Sequence, residues 1–118
     1  MFRCPVPTPF EEMSALDRLL HEPARLAILT ALNACRRCDF VYLQSLTAIS
    51  KGNLSNHLQK LEHGGLVQIV KTYRGRIPQT LVSLTPRGRE SIEHHWARLE
   101  SLRTEAQAFR PTPIRLDE

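Results

Sequence analysis

The fold is decided by the stretch Ile49-Ser50-Lys51-Gly52-Asn53-Leu54-Ser55-Asn56-His57-Leu58-Gln59-Lys60-Leu61-Glu62-His63-Gly64-Gly65-Leu66-Val67. Three of its leucines recur at spacings of four and three residues, which places them on one face of a helix: Leu54, Leu58 and Leu61. Ser50 precedes them and can cap the first turn by accepting hydrogen bonds from free backbone N–H groups. Gly64 and Gly65 favour the end of the helix, because glycine adopts a left-handed C-terminal cap at little steric cost. The pattern predicts a helix over residues 51–63.

The opposite face of this predicted helix is polar. It carries Asn53, Asn56, Gln59, Lys60 and His63. Each of these side chains can donate a hydrogen bond, and none of them is bulky and apolar. Such a face is typical of a helix that contacts a polar partner.

A β-hairpin is predicted directly after the helix. Its first strand covers residues 66–72, its turn is Tyr73-Arg74-Gly75-Arg76, and its second strand covers residues 79–84. Residues 50–80 carry five cations and one acid, whereas residues 10–22 carry four acids and one cation. A polar-faced helix followed by a hairpin with a cationic tip is the layout of a winged helix-turn-helix. DNA binding is therefore the working hypothesis.

The rest of the chain is predicted to be mainly helical, from apolar periodicity and from helix-breaking residues. The predicted helices cover residues 10–20, 23–32, 40–47 and 86–108, and a loop covers residues 33–39. Asp39 can cap the third helix, and Ala48-Ile49-Ser50 then forms the short turn of a helix-turn-helix. Thr85 caps the last helix, with Pro86 at its first position. The predicted fold class is α+β, mainly helical: a winged helix-turn-helix with extra N- and C-terminal helices.

These extra helices are predicted to form a dimer interface. A last helix of about 23 residues spans about 34 Å, more than a domain of this size needs to cover its own core. Its apolar stripe is most simply buried against a second copy of itself and the first helix, in a two-fold homodimer. Folding back onto its own domain is the alternative. The predicted interface residues are Phe10, Met13, Leu16, Leu20, Ile92, Trp96, Leu99, Ala106 and Phe109.

Length and composition agree with one globular domain. The chain has 118 residues, of which 42% are hydrophobic, and a net charge of +4 that leans towards a polyanionic partner. We predict an irregular arm over residues 1–9, a DNA-binding and dimerisation domain over residues 10–109, and a loose tail over residues 110–118. The sequence shows no targeting signal and no run of about 18 apolar residues. Its three cysteines fit a reducing compartment, so we expect a cytoplasmic protein with no membrane partner.

Between Ser50 and Val67 the sequence resembles the winged helix-turn-helix transcription regulators of the MarR and ArsR kind. More closely it resembles a small branch of winged-helix DNA-binding proteins, which join four motifs in a fixed order. In this chain the motifs are Arg25-Leu26-Ala27-Ile28-Leu29, Asp39-Phe40-Val41-Tyr42-Leu43, Gly52-Asn53-Leu54-Ser55 and Leu84-Thr85-Pro86-Arg87-Gly88-Arg89. The resemblance covers about residues 16–100. It implies a homodimer that binds DNA, usually as a repressor or activator of nearby genes.

Candidate contacts to DNA bases lie on the polar face of the predicted recognition helix. Asn56 and Gln59 are the best candidates, because a side-chain amide can bond an adenine edge bidentately in the major groove. Asn53 and Ser55 lie nearer the helix start and can contact either a base or a phosphate. An ordinary solvated face is the alternative for Asn56 and Gln59.

Candidate contacts to phosphate lie at the start and on the flank of the same helix. Ser50 and Lys51 are placed at its N-terminus, where free N–H groups favour phosphate. His57 and Lys60 are further phosphate candidates. A plain helix cap is the alternative for Ser50, and a packed or solvent-facing histidine is the alternative for His57.

The predicted hairpin tip, or wing, over residues 72–78 supplies a second set of candidates. Arg74 and Arg76 flank a glycine, and their guanidinium groups can enter the minor groove or contact the backbone, where positive charge is favoured. Tyr73 can pack beneath them or touch a sugar. A solvated basic turn is the alternative.

Two cysteines form the element Cys35-Arg36-Arg37-Cys38. A C-x-x-C pair can hold a metal or cycle between thiol and disulfide, and the arginines between them favour thiolates. A single pair supplies two ligands where structural zinc takes four. Cys35 and Cys38 are therefore minor candidates for metal or redox sensing, with two free thiols in a surface loop as the alternative. No cofactor is predicted.

Two other classes of function compete with sequence-specific DNA binding. A winged-helix protein-interaction module is the alternative function, but such a module should lack cations on the helix face and wing. An enzyme is rejected, because the sequence has no Gly-rich phosphate loop, no carboxylate pair in an apolar stretch and no nucleophile beside a plausible base. The predicted partners are double-stranded DNA and a second copy of the chain. A small-molecule effector is left open.

Overall fold

The computed structural model of the protein describes residues 8–111. In this part of the chain the elements are α1 (Pro9–Ser14), α2 (Pro23–Cys35), β1 (Arg37–Asp39), α3 (Phe40–Thr47), α4 (Lys51–His63), β2 (Val67–Arg74), β3 (Ile77–Leu84) and α5 (Pro86–Ala108). The predictions for residues 1–7 and 112–118 lie outside the described residues. A mainly helical chain with one small antiparallel sheet confirms the predicted α+β winged helix-turn-helix.

The described chain divides into two compact units. One contains the residues up to Leu16 together with those from Trp96 onwards, and the other contains residues 17–95. In the first unit the rings of Phe10 and Phe109 meet edge to face, with their centroids 5.2 Å apart. The residues of α1 and the C-terminal half of α5 therefore have a packing contact of their own.

The core of the larger unit is aliphatic. Its fully buried side chains come from α2, α3, α4, β3 and α5: Ile28, Leu29, Leu32, Leu43, Leu54, Leu61, Val82 and Ile92. The three leucines whose spacing predicts an apolar face on α4 are all buried. The helix consequently turns its other face away from the core.

The sheet contains a strand that sequence analysis does not predict. Its strands are antiparallel in the order β1-β3-β2, and β1 lies where a loop over residues 33–39 is expected. α2 instead continues to Cys35, and Arg36, with a positive φ of 65°, turns the chain into the strand. Cys38 lies opposite Val82 of β3 and is buried. The prediction of a loop is wrong because three residues are too few to show a strand periodicity.

α1 is shorter than the predicted helix over residues 10–20, because it ends at Ser14. Asp17 provides a competing bond, because its side-chain Oδ1 accepts from the N–H of Leu19 at 2.8 Å. A short polar side chain that bonds nearby backbone groups offers the chain an alternative to helix. The prediction that the helix continues to residue 20 is therefore wrong.

The hairpin is longer, and its turn tighter, than predicted. β2 runs to Arg74 and β3 begins at Ile77, so the turn consists of Gly75 and Arg76. Gly75 has a φ of 66°, and a glycine with positive φ at the first of two turn residues is what a type II′ hairpin turn requires. The predicted four-residue turn over residues 73–76 is wrong, because its first two residues pair in the ladder.

β3 also includes Pro78, which lies before the predicted start of that strand at Gln79. Pro78 is opposite Tyr73 of β2. β1 pairs only with residues 81–83, so at Pro78 the strand has one neighbour within the sheet. Proline is tolerated where a strand has such a free side.

α4 ends in a left-handed cap. Gly65 has a φ of 77°, whereas Gly64 keeps the right-handed conformation with a φ of −76°. The N–H of Gly65 donates to the Glu62 carbonyl oxygen at 3.0 Å, and the N–H of Leu66 donates to the Leu61 carbonyl oxygen at 2.9 Å. These two bonds form a Schellman motif, which satisfies carbonyl groups that a helix end leaves free.

Thr85 joins this cap to the start of α5. Its hydroxyl donates to the Gly65 carbonyl oxygen at 2.7 Å and accepts from the Gly88 N–H at 2.9 Å. Its own N–H donates to the Leu66 carbonyl oxygen at 3.0 Å. The predicted cap at Thr85 is confirmed, and the same residue bonds the end of α4 to α5.

The close approach at this junction makes a testable prediction for Gly88→Ala. A Cβ atom at residue 88 would lie 1.9 Å from the Leu66 carbonyl oxygen, so the backbone must shift. We expect the free energy of unfolding to fall by about 1–3 kcal/mol, the usual cost of overpacking. Chemical denaturation monitored by circular dichroism measures the change.

Gly52→Ala is the matched control, because Gly52 also lies in the first turn of a helix but has nothing within 4 Å of its Cβ position. That variant should be neutral or gain up to about 1 kcal/mol from helix propensity. Equal effects of the two substitutions would contradict the close packing of α5 against Leu66.

Two histidines of the larger unit share a hydrogen bond. His21 Nδ1 lies 3.2 Å from His95 Nε2, and His95 is only 5% exposed. Burial lowers the pKa of His95, and positive charge on His21 and His94 lowers it further, whereas Asp17 acts in the opposite direction. The folded chain therefore holds His95 neutral at a pH at which an unfolded chain would protonate it.

This lowered pKa predicts how stability changes with pH. Below the ordinary histidine pKa of about 6.5, the unfolded chain binds a proton at residue 95 that the folded chain does not. The free energy of unfolding should therefore fall as the pH is lowered. Denaturant titrations at pH 7 and pH 5 measure this loss of stability, and the loss should be smaller in His95→Leu than in the wild type. His94→Gln, an exposed neighbour that lowers the pKa of His95 less than burial does, should retain most of it. An unchanged pH dependence in His95→Leu would refute the assignment.

Candidate nucleic-acid interface

α3 and the turn after it set the position of α4. Asp39 Oδ1 accepts from the Val41 N–H at 2.8 Å, which confirms the predicted cap of α3. Ala48 has a φ of 56°, and its N–H donates to the Gln44 carbonyl oxygen at 2.9 Å. This closes α3, and α4 then begins after three residues. Two helices joined by so short a turn form a helix-turn-helix.

α4 presents its polar face to solvent. The Ser50 hydroxyl accepts from the Asn53 N–H at 3.3 Å, so the predicted cap is confirmed. The exposed candidates at the start of this helix and along it are Ser50, Lys51, Asn53, Ser55, Asn56, Gln59 and Lys60. The amide, hydroxyl and ammonium groups of these side chains are therefore accessible to a partner, while the apolar face is buried.

His57 differs from these residues because it is half-buried and already bonded. Arg25 Nε donates to His57 Nδ1 at 3.3 Å, and Glu22 Oε2 lies 3.8 Å from the same nitrogen. The side chain of His57 is 20% exposed. Sequence analysis predicts that His57 contacts phosphate. In the structure, one of its two ring nitrogens already accepts a hydrogen bond within the chain.

The hairpin carries its candidate contacts at its tip. Tyr73 is 71% exposed, and Arg74 and Arg76 are also exposed. Side chains alternate between the faces of a strand, so Tyr73 shares a face of β2 with Lys71, and Arg74 lies on the other face. Arg76 belongs to the turn itself. The two guanidinium groups thus start from positions two residues apart at the end of the hairpin.

A groove of about 480 Å³ lies between α4 and the hairpin. Its lining combines apolar side chains with polar ones: Phe40, Lys51, Ser55, Leu58, Gln59, Glu62, Ile69, Lys71 and Thr80. Lys51 is on the α4 side and Lys71 on the β2 side. Sequence analysis counts Lys71 in the basic charge without assigning it a contact, because the face it occupies depends on the position of β2.

The cations of this surface are not neutralised by the described part of the chain. The ion pairs found among residues 8–111 involve Arg25, His57 and Arg98 as their basic members. The five cations of residues 50–80 take no part in them. Their positive charge is therefore available to attract a polyanion.

The two cysteines of the C-x-x-C element are not equivalent. Cys35 is exposed and Cys38 is buried in β1, so the alternative of two thiols in a surface loop is wrong for Cys38. Burial, together with Cys35 and Asp39 nearby, raises the pKa of the Cys38 thiol to about 11. Metal ligation requires the thiolate. Over residues 8–111 there is no cluster of three or more histidine, cysteine or carboxylate side chains placed to hold a metal ion.

The predicted dimer-interface residues fall into two groups. Leu20 and Ile92 belong to the core of the larger unit, so they are covered within a single chain. The others are half-buried or exposed: Phe10, Met13, Leu16, Trp96, Leu99, Ala106 and Phe109.

Among the described residues, no helix combines the length and apolar character needed to cross a bilayer.

These parts define a class of protein. A helix-turn-helix whose second helix is exposed and polar, followed by a basic hairpin, is the arrangement of a winged-helix DNA-binding protein. Residues 24–102 match the family described as the winged helix DNA-binding domain. The chain belongs to this family.

Proteins of similar sequence or structure support this assignment. An uncharacterized protein from Methanocaldococcus jannaschii is 32% identical over 79 residues, which cover 66% of this chain and 85% of that protein. The structure of a transcriptional regulator homologue from Pyrococcus horikoshii OT3 has a TM-score of 0.75 and 29% identity, covering 81% of this chain and 94% of that one. A MarR-family transcriptional regulator from Silicibacter pomeroyi has a TM-score of 0.59 and 24% identity, covering 86% and 71%. The protein is therefore a winged-helix protein of the DNA-binding domain family, and it shares its fold with these regulators.

Proposed function

We propose that the protein is a transcription regulator that binds double-stranded DNA sequence-specifically, as a homodimer, with α4 in the major groove. The observation that carries this proposal is the exposed polar face of α4. Asn56 and Gln59 take base edges through their amide groups. Asn53 and Ser55, nearer the helix start, take a base or a phosphate.

The remaining contacts are to the DNA backbone. Ser50 and Lys51 meet phosphate at the N-terminus of α4, and Lys60 meets it further along the helix. The wing contacts the adjacent backbone or the minor groove through Tyr73, Arg74 and Arg76. The absence of ion pairs at these cations within residues 8–111 supports this assignment.

Lys71 joins the proposed backbone contacts. A duplex that meets both α4 and the wing tip must pass a sugar-phosphate strand over the groove between them. Lys51 and Lys71 line that groove from its two sides, so a phosphate there would approach both ammonium groups.

A homodimer is supported by the length of α5 and by the aromatic surface near its C-terminal half. α5 has 23 residues, and Phe10 and Trp96 are 50% and 41% exposed. Leu20 and Ile92 are omitted from the proposed interface because they are core residues. A two-fold dimer should recognise a pseudo-palindrome with half-sites about one helical turn apart.

The proposal is tested by fluorescence anisotropy on DNA from upstream of the protein's own gene, with a scrambled duplex beside it. Salt is varied from ~50 to ~200 mM, where phosphate contacts change affinity steeply. Asn56→Ala or Gln59→Ala should cost about 1–3 kcal/mol on the native duplex and remove its advantage over the scramble. Arg74→Ala should weaken both duplexes alike. No binding to either duplex at low salt would sink the proposal and favour a protein-interaction module.

Lys71→Ala supplies a separate prediction. Each phosphate contact contributes about 0.9 to the slope of log affinity against log salt, so a dimer that loses two contacts should lose about 1.8 from the slope. The same titrations measure it on both duplexes. Arg103→Ala, which removes an exposed charge of α5, is the charge-matched control and should leave the slope nearly unchanged. Equal slopes for the two variants would remove Lys71 from the interface.

A further inference from the structure

Arg25, near the start of α2, bonds the side of α4 to the turn that precedes α2. Its Nε donates to His57 Nδ1 at 3.3 Å. Its Nη1 donates to the carbonyl oxygens of Arg18 and Leu19 at 3.4 and 3.2 Å. The Arg25 side chain is only 14% exposed. One planar guanidinium group therefore fixes both the turn before α2 and the histidine of α4.

The bond from Arg25 also fixes the tautomer of His57. A neutral imidazole has one donor nitrogen and one acceptor nitrogen. Because Nδ1 accepts from Arg25, the proton of neutral His57 lies on Nε2. The ring consequently offers an N–H donor on the side away from Arg25.

Glu22 completes the network. Its Oε2 accepts from the backbone N–H of Arg25 at 3.0 Å and lies 3.9 Å from Arg25 Nε. Burial opposes ionisation of this carboxylate, but the N–H groups of Arg25 and Ala24 and the neighbouring His57 and Arg25 side chains hold its pKa below the usual range. The carboxylate therefore stays ionised and holds the guanidinium group beside His57.

His57 lies at the border of the polar face of α4. Residues three or four apart share a side of a helix, so Asn53 and Lys60 are its neighbours on the surface. Both are exposed. The Nε2–H group is therefore carried on the flank of the proposed DNA face that lies away from the groove.

We propose that Arg25 is a positioning residue for DNA binding, which holds His57 with its Nε2–H directed at a DNA phosphate. The assignment rests on the proposed function, because it requires α4 to lie in the major groove. Arg25 acts through His57 and does not itself contact DNA. The contact is to phosphate, so it should strengthen binding to every duplex by the same factor.

Arg25→Lys tests this role, because lysine keeps the charge but has no Nε–H and cannot form the planar fork that reaches three acceptors. Affinity should fall by about 3- to 10-fold, the size of one hydrogen bond, and by the same factor on native and scrambled duplexes. Fluorescence anisotropy at fixed salt measures it, at a temperature where circular dichroism shows every variant folded. Arg37→Lys, an exposed arginine of β1, is the matched control and should bind like the wild type.

His57→Gln separates a positioning role from a general structural one. A glutamine amide keeps an N–H donor without needing an acceptor bond from Arg25. In the His57→Gln background, Arg25→Lys should therefore cause no further loss of affinity, whereas the two losses would add if the residues acted independently.

Three results would overturn the inference. Arg25→Lys that binds like the wild type would remove Arg25 from DNA recognition. An equal loss from Arg25→Lys in the wild-type and His57→Gln backgrounds would show that Arg25 does not act through His57. If the wild-type chain bound neither duplex, the proposed function would fail as well, which distinguishes that outcome from the other two.

Discussion

The hydroxyl of Thr85 lies between the end of one helix and the start of another, and the orientation of the proposed DNA-binding surface depends on its two bonds. It donates to the carbonyl oxygen of Gly65 and accepts from the N–H of Gly88. β2 begins two residues after Gly65, and β3 ends at Leu84. The end of α4, both ends of the hairpin and the start of α5 therefore meet within a few residues. A shift of any one of them would have to break a hydrogen bond or separate the backbone of Leu66 from Gly88.

Local signals in the sequence suffice for the elements that carry their own caps. Ser50 and Asp39 predict the starts of α4 and α3, and Thr85 predicts the start of α5, because each cap is a bond to a residue two or three positions away. β1 is different: its three residues acquire strand geometry only by pairing with β3, more than 40 positions along the chain. The end of α1 at Ser14 and the two-residue turn likewise depend on bonds that apolar periodicity does not report.

The candidate site divides in the same way. Periodicity correctly predicts that Asn56 and Gln59 face outwards, since the leucines on the opposite face of α4 are buried. It does not reveal that His57 is bonded to Arg25, because the two residues are 32 positions apart. It also cannot tell what covers an apolar residue: Ile92 fits the stripe of a dimer helix, yet it lies in the core of its own chain. Lys71 needed the strand pairing before its place in the groove could be known.

The two-residue turn of the hairpin has a consequence for the geometry of the whole surface. A tight turn has little conformational freedom to lose, so the wing is preorganised and keeps a fixed distance between its base and its tip. Each strand has eight residues, which at about 3.3 Å per residue gives a reach of roughly 26 Å. Lengthening both strands by two residues would move the arginines about 7 Å outwards on the same faces. Lengthening by one would turn Arg74 to the opposite face, so in the proposed DNA complex the distance between α4 and the wing tip can change only in steps of two residues.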